Sequence, residues 1–245
     1  MAKVQHQKGR GGIDPNPNPI LIAIGALAVV VFFSFPYMLM LISSLKSQAD
    51  VRRIPPEYWP TEPMWSNYLT VWASNVQPGK SLLATTVIAF GATAVVLLVA
   101  TPAAYYVARF RFRGRMIFLL LVLCTQMLQP TVLAVGLYQQ FASWGGYWVW
   151  AALILINGAF NLSFAIWMMQ AFFSAVPKEV DEAALIDGLG RLQTMFRISL
   201  PLTWPGIVTA VVFVFVNTWN EYSAAFILVQ DPDLQPLTVS MPRFL

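Results

Sequence analysis

Long apolar stretches alternate with short polar connections along the chain. Five of the stretches carry at most one charged residue each, and each is long enough to cross a bilayer as a helix, which needs about 20 residues. These stretches are residues 20–45, 82–108, 117–141, 148–173 and 204–229. The pattern predicts an all-α membrane protein, a polytopic transmembrane helix bundle at residues 20–245 behind a tail at residues 1–18.

The composition also favours integration into a membrane. Hydrophobic residues make up 58% of the 245 residues and charged residues only 11%, against about 25% charged in soluble domains. The mean hydropathy is +0.63. The single cysteine, Cys124, and the single histidine, His6, exclude an intrachain disulfide and a metal site built from these residue types. The polar composition of residues 1–18 predicts a disordered tail.

The longest island of charge lies between the fourth and fifth predicted spans, at residues 177–201. Pro177 suits the first position of a helix, and acidic residues follow it, where the helix dipole favours negative charge. Gly188 and Gly190 supply the backbone freedom that ends a helix and turns the chain. The pattern predicts an amphipathic helix that lies at one membrane face, where another protein can bind it.

One face of this predicted helix carries small side chains. Residues three and four apart fall on the same side of a helix. This face holds Val180, Ala183, Ala184 and Asp187. Because two of the four are alanines, we expect the face to dock closely into a groove of a partner.

The distribution of Lys and Arg predicts the orientation of the chain, because cytoplasmic loops carry more of both. With the N-terminus inside, the inner segments hold ten such residues: Lys3, Lys8, Arg10, Arg109, Arg111, Arg113, Arg115, Lys178, Arg191 and Arg197. The outer segments hold five: Lys46, Arg52, Arg53, Lys80 and Arg243. The excess predicts a multi-pass protein of the cell membrane with a cytoplasmic N-terminus and a cytoplasmic 177–201 loop.

Seven positions of the charged island resemble the EAA loop of ABC-importer permeases. They are Glu182, Ala183, Ala184, Gly188, Ile198, Leu200 and Pro201. Four further segments are similar to the carbohydrate-importer type of these permeases: residues 35–46, 104–114, 160–167 and 219–222. The first of them is similar to the shorter, MalG-like partner, and the resemblance covers nearly the whole chain after the polar tail.

The resemblance implies the ABC type I importer permease fold and a role as one membrane subunit of an ATP-driven importer for a sugar or a related polar solute. It implies that the EAA positions, together with Asp187, couple the chain to a cytoplasmic ATPase. The other implied partners are a second permease subunit, an extracytoplasmic solute-binding protein and membrane lipid, with no nucleic acid. ATP and Mg²⁺ belong to the ATPase, and no cofactor is expected on this chain.

The resemblance also implies a sixth core helix, which is absent from this sequence. Residues 230–245 contain no further apolar run, and we expect them to form a polar tail.

Polar residues inside the predicted spans are candidates for the translocation path, because unpaired polar groups are costly in lipid. In the fifth span, spacings of three, four and seven place four residues on one predicted helical face: Asn217, Asn220, Glu221 and Ala224. Lesser candidates in the third and fourth spans are Gln126, Gln129, Asn157 and Asn161. We expect the face to line the path or the interface with the second permease. Hydrogen bonding between helices without solute contact is the alternative.

Two other classes of function stay open. One is a secondary transporter or channel that works without ATP, favoured only by the polar face of the fifth span. The other is a non-transporting structural membrane subunit. The chain itself is not expected to be an ATPase. Gly79, Lys80 and Ser81 match the end of a Walker A motif, but Ser74 stands where that motif needs glycine.

Overall fold

The computed structural model describes residues 18–55, 57–60, 62–73, 77–127, 130–141, 146 and 148–244. Helices dominate these residues and no strand occurs among them, which confirms the predicted all-α class. The chain divides into two compact units, Met1–Thr70 and Val71–Leu245. Apart from Asn18, the predicted disordered tail lies outside the described residues.

The first unit contains the first apolar helix. Its elements are α1 (Pro19–Ser44), α2 (Gln48–Val51) and the first residues of α3 (Ser66–Ala73). The Asn18 side chain accepts a hydrogen bond from the Ile20 amide at 3.3 Å and so caps α1. Asn67 Nδ2 donates to the carbonyls of Ser44 and Lys46, at 3.0 Å each, and this ties α3 to the end of α1. No residue of α1 is buried.

The second unit carries the remaining elements. In chain order they are α4 (Pro78–Arg109), α5 (Arg115–Thr125), α6 (Pro130–Phe141), α7 (Trp148–Ala175), α8 (Lys178–Ile186), α9 (Arg191–Thr194), a π-helical turn (Met195–Ser199), α10 (Leu200–Leu202), α11 (Trp204–Trp219), α12 (Ser223–Leu228), a 3₁₀ turn (Pro232–Leu234), α13 (Leu237–Ser240) and a last 3₁₀ turn (Met241–Phe244). α4 and α7 form the most extensive helix pair of the described chain, and α11 packs against both.

A stripe of small side chains lets α4 approach its neighbours closely. Every fourth residue along one face is buried, and five of these seven are alanines: Ala84, Ile88, Ala92, Val96, Ala100, Ala104 and Ala108. Helices in lipid associate largely through van der Waals packing, so small residues that permit close approach stabilise the bundle. Gly206 does the same for α11, because its backbone lies directly against the Phe172 ring of α7.

The described chain has three helices that are long and apolar enough to cross a membrane: α1, α4 and α7. A fourth candidate arises if residues 191–202 and α11 are counted together across an 81° bend. The predicted spans at 117–141 and 204–229 are each interrupted and do not form single continuous helices. α5 and α6 are separate helices of 11 and 12 residues, and α11 ends at Trp219 before α12 begins. Five crossings therefore stay a prediction.

The segment after α12 is packed against the bundle, although its composition predicts a polar tail. Leu234 and Val239 are buried in a cluster with apolar residues of α4, α7 and α12. Trp150 Nε1 in α7 donates to the Leu234 carbonyl at 2.9 Å. The Leu237 amide donates to Thr85 Oγ1 in α4 at 2.8 Å. These contacts hold the segment against the N-terminal parts of α4 and α7.

Candidate functional site

α8 is the helix that the charged island predicts, and its end is closed where the glycine pattern places it. Gly188 has a φ of +87°, a conformation that residues with a side chain rarely adopt. Its amide donates to the Leu185 carbonyl and the Leu189 amide donates to the Ala184 carbonyl, both at 3.1 Å. This pair of bonds is a Schellman motif, which satisfies the last carbonyls of the helix. Pro177 is the N-cap and not the first helical residue.

A buried ion pair fastens α8 to the end of α4. Arg109 Nε lies 2.7 Å from Asp181 Oδ2, and the two side chains are only 6% and 11% exposed. The Tyr105 hydroxyl donates to Asp181 Oδ2 at 3.1 Å, and the Ser199 hydroxyl donates to Asp181 Oδ1 at 2.6 Å. Arg109 Nη1 donates to the Val176 carbonyl at 2.8 Å. One carboxylate therefore joins α4, α8 and the π-helical turn.

The sequence predicted Asp181 only as an acidic residue near a helix N-terminus, so its central role was missed. Its partners Tyr105 and Ser199 lie 76 and 18 residues away, beyond the reach of a local pattern. One local signal was present: Asp181 and Ala184 are three apart, and these two residues form the buried side of α8. Removing either member of a buried ion pair leaves an uncompensated charge. The pair therefore holds α8 in one position.

The predicted docking face of α8 is divided in the structure. Ala184 is buried and Val180 is half-buried within the chain, whereas Ala183 and Asp187 are exposed. The division agrees with the ion pair of Asp181, because Asp181 and Ala184 lie on the same buried side of α8. A face made of all four residues, as predicted, is therefore wrong.

Large apolar side chains are exposed on several elements of this region, among charged residues. Ile186 is 85% exposed at the end of α8. We define the coupling patch as the exposed large hydrophobic residues of α8, α9 and the π-helical turn: Leu185, Ile186, Leu192 and Phe196. Among the remaining predicted coupling positions, Glu182, Gly188 and Pro201 are exposed, and Ile198 and Leu200 are half-buried.

A cavity of about 150 Å³ opens beside the ion pair, between the end of α4 and α8. Lys178, Glu182 and Arg191 contribute charged groups to its wall. The Arg191 guanidinium lies 4.8 Å from the centre of the Phe110 ring, within the range of a cation–π contact. No group of His, Cys, Asp and Glu suited to a metal ion occurs in the part of the chain that the structure describes.

Two of the predicted path residues meet in the structure. Asn217 Nδ2 in α11 donates to Asn161 Oδ1 in α7 at 3.2 Å. Asn161 Nδ2 donates in turn to the Asn157 carbonyl at 2.9 Å. Gln126, at the end of α5, donates to the Phe160 carbonyl at 3.3 Å. Amides from α5 and α11 thus converge on α7, and Gln129 lies outside the described residues.

The predicted single helical face in the fifth span is wrong, because α11 ends before Glu221. Asn220 is the C-cap of α11 and its side chain donates to the Val216 carbonyl at 2.8 Å. Glu221 lies in the break, where its carboxylate accepts the amides of Ala224 at 2.7 Å and Ala225 at 3.1 Å. An acid at a helix N-terminus is favourable, so Glu221 caps α12. Ala224, the fourth member of the predicted face, is buried.

Comparisons with known proteins identify a family and several relatives that this chain resembles. A family described as "Binding-protein-dependent transport system inner membrane component" matches residues 100–241. The chain is 32% identical over 213 residues, 86% of its length and 69% of the relative's, to a probable ABC transporter permease protein, YurM, of Bacillus subtilis. It is 30% identical to SmoH of Agrobacterium fabrum, a sulfoquinovosyl glycerol transport system permease protein, with 86% and 73% covered. It is 31% identical to NgcG of Streptomyces coelicolor, a diacetylchitobiose uptake system permease protein, with 85% and 68% covered.

A solved structure shares the fold. It is the crystal structure of a bacterial ABC transporter involved in the import of the acidic polysaccharide alginate, and it superposes with a TM-score of 0.76. The identity is 20%, with 92% of this chain and 79% of the other covered. The matched family model and the relatives show that the chain belongs to the binding-protein-dependent inner membrane components, the permease subunits of ABC importers.

Proposed function

We propose that the chain forms half of the translocation path for a sugar or a related polar solute, paired with a second, different permease subunit. Relatives named for the uptake of sulfoquinovosyl glycerol and diacetylchitobiose support this class of solute. A solute-binding protein delivers the solute on the outer side. A cytoplasmic ATPase, which holds ATP and Mg²⁺, drives the cycle, and the permease chain receives the resulting movement.

The coupling patch is the observation that carries the proposal. Exposed apolar residues that cluster on one surface mark sites of protein interaction. The patch lies on α8 and on the elements that follow it, and the ion pair between Asp181 and Arg109 fixes α8 to α4. A partner that pulls on the patch therefore pulls on α4, which packs along α7 and α11 in the bundle. The ATPase is the partner that fits such a connection.

The charge distribution supports a cytoplasmic position for the patch. With the N-terminus inside, inner segments hold ten Lys and Arg residues and outer segments five. The same orientation brings α8 to the side of the membrane where ATP is present. We propose this orientation for the whole chain.

We propose that the amide cluster of α5, α7 and α11 lies along the path. Asn217 and Asn220 are exposed in the isolated chain, and Asn161 positions Asn217 from behind by a hydrogen bond. Gln126 lies on the neighbouring helix α5. We include half-buried Glu221 among the proposed path residues. Its carboxylate also caps α12.

Replacing Ile186 by Asp tests the coupling patch. Because Ile186 is 85% exposed, the substitution leaves the chain folded, and its thermal unfolding temperature should stay within about 2 °C of the wild type. Burying an unpaired carboxylate in an apolar contact costs several kcal/mol. The ATPase that co-purifies with the tagged chain from native membranes should therefore fall about tenfold or more.

Ile54→Asp is the matched control, because Ile54 is 93% exposed and lies far from residues 177–201 in sequence, in a predicted outer connection. It should retain the ATPase at the wild-type level. Wild-type retention by Ile186→Asp would contradict the proposal.

A further inference from the structure

A small cavity lies where α4, α7, α11 and the break before α12 meet. Its volume is about 10 Å³, which is the size that holds one water molecule. Polar residues in its wall come from each of these elements: Thr85, Asn157, Thr218 and Glu221. Apolar residues complete the wall, among them Ile88, Leu153 and Ala225.

One hydroxyl in this wall has no hydrogen-bond partner. Thr218 is 4% exposed, and its Oγ1 atom makes no hydrogen bond to any described residue. The other threonine of the wall is satisfied, because Thr85 Oγ1 donates to the Ser81 carbonyl and accepts from the Leu237 amide. Leaving a buried hydroxyl unpaired costs about 1–3 kcal/mol, so native structures rarely do so. The unpaired hydroxyl and the cavity beside it indicate a missing partner of water size.

The groups around the cavity offer both kinds of hydrogen bond. The Thr218 hydroxyl can donate and accept. Asn157 uses one amide hydrogen on the Leu153 carbonyl at 3.0 Å, and its side-chain oxygen is a hydrogen-bond acceptor. The carboxylate of Glu221 accepts one backbone amide on each oxygen, and each oxygen keeps a further lone pair. A water molecule can accept from the hydroxyl and donate to the two oxygen acceptors, and about three bonds are usual for buried water.

We propose that a single water molecule is bound here by Thr218, Asn157 and Glu221. It completes the solvation of the Glu221 carboxylate at the break between α11 and α12 and links that break to α7. A metal cation of similar size fits less well, because it accepts no hydrogen bond and leaves the Thr218 hydrogen unpaired. The site is independent of which solute the importer carries.

Replacing Thr218 by Val gives a test in which the direction of the change in unfolding temperature decides. Valine has nearly the same shape as threonine and the same branched Cβ, but it has no hydroxyl. If the water is present, the substitution removes one of its three bonds, and the unfolding temperature of the purified full-length chain in detergent should fall by about 2–4 °C. If the cavity is empty, the substitution removes an unpaired hydroxyl, and the unfolding temperature should rise. A rise or no change overturns the proposal.

Two further measurements make the test specific. The wild type should unfold at the same temperature in sodium chloride and in choline chloride at equal ionic strength. Stabilisation by sodium would mean that a cation occupies the cavity and would overturn the assignment of water. Density for one water between Asn157, Thr218 and Glu221 in a high-resolution map of the assembled importer should be seen directly.

Discussion

Removing the carboxylate of Asp181 should release α8 from the bundle. Asp181→Ala leaves the Arg109 guanidinium buried without its counter-charge, and breaking a buried pair in this way costs about 3–5 kcal/mol. The hydroxyls of Tyr105 and Ser199 lose the same acceptor, so the upper part of the range applies. For a chain of this size, 1 kcal/mol corresponds to about 2–4 °C. We therefore expect the unfolding temperature to fall by about 8–20 °C.

The assay is thermal unfolding of the purified chain in detergent, followed by tryptophan fluorescence, since the chain has nine tryptophans. Glu179→Ala is the control: Glu179 is an exposed acid in the same helix, and its loss should cost at most about 1 kcal/mol. A double-mutant cycle isolates the pair. Arg109→Met should cost far less in an Asp181→Leu background than in the wild type, because no unpaired charge remains. An Asp181→Ala chain as stable as Glu179→Ala, or additive effects in the cycle, would refute the reasoning.

Two further predictions concern glycine-to-alanine substitutions, each compared with a control glycine in a different environment. Gly188→Ala should lower the free energy of unfolding by about 1–2 kcal/mol, because φ at Gly188 is +87°. Gly190→Ala is the control and should cost less than about 0.5 kcal/mol, because φ at Gly190 is −72°. Equal losses in thermal unfolding would contradict the Schellman motif at the end of α8. Gly206→Ala places a methyl group 2.6 Å from Phe172 Cδ2 and should lower the free energy of unfolding by about 1–3 kcal/mol. Gly136→Ala is the control, because its added methyl group has no other atom within 4 Å, and it should be neutral or stabilising by about 0.5–1 kcal/mol. If Gly206→Ala is as stable as Gly136→Ala, the close contact between α7 and α11 is absent.

The class of fold and the position of α8 could be predicted because their signals are local. Apolar length identifies a membrane helix without reference to the rest of the chain. The start and end of α8 are set by residues inside the loop, Pro177 and Gly188, and the structure confirms the end at Gly188. The resemblance to the EAA loop depends on the same short stretch, residues 177–201.

The breaks in the third and fifth spans could not be predicted in the same way. Hydropathy depends only on the polarity of the side chains, so it does not indicate where the backbone hydrogen bonds of a helix end. At Asn220 and Glu221 the polar spacing suited a continuous helix, yet the Glu221 carboxylate forms bonds to the amides of Ala224 and Ala225 that need the helix to restart there. The anchor of α8 was missed for a different reason, since Asp181 meets Tyr105 and Arg109 only after α4 and α8 have packed.

The hydrogen bond from the Leu237 amide to Thr85 Oγ1 joins positions 152 residues apart. The ribosome adds about 5–20 residues each second, so Thr85 waits roughly 8–30 s before its partner is even synthesised. During that interval α4 and α7 can already pair, while their N-terminal ends are not covered by residues 230–244. The order of synthesis thus places the closing of this end after the pairing of α4 and α7, and a nascent chain halted before Leu237 would reach the membrane with this end of the bundle still open.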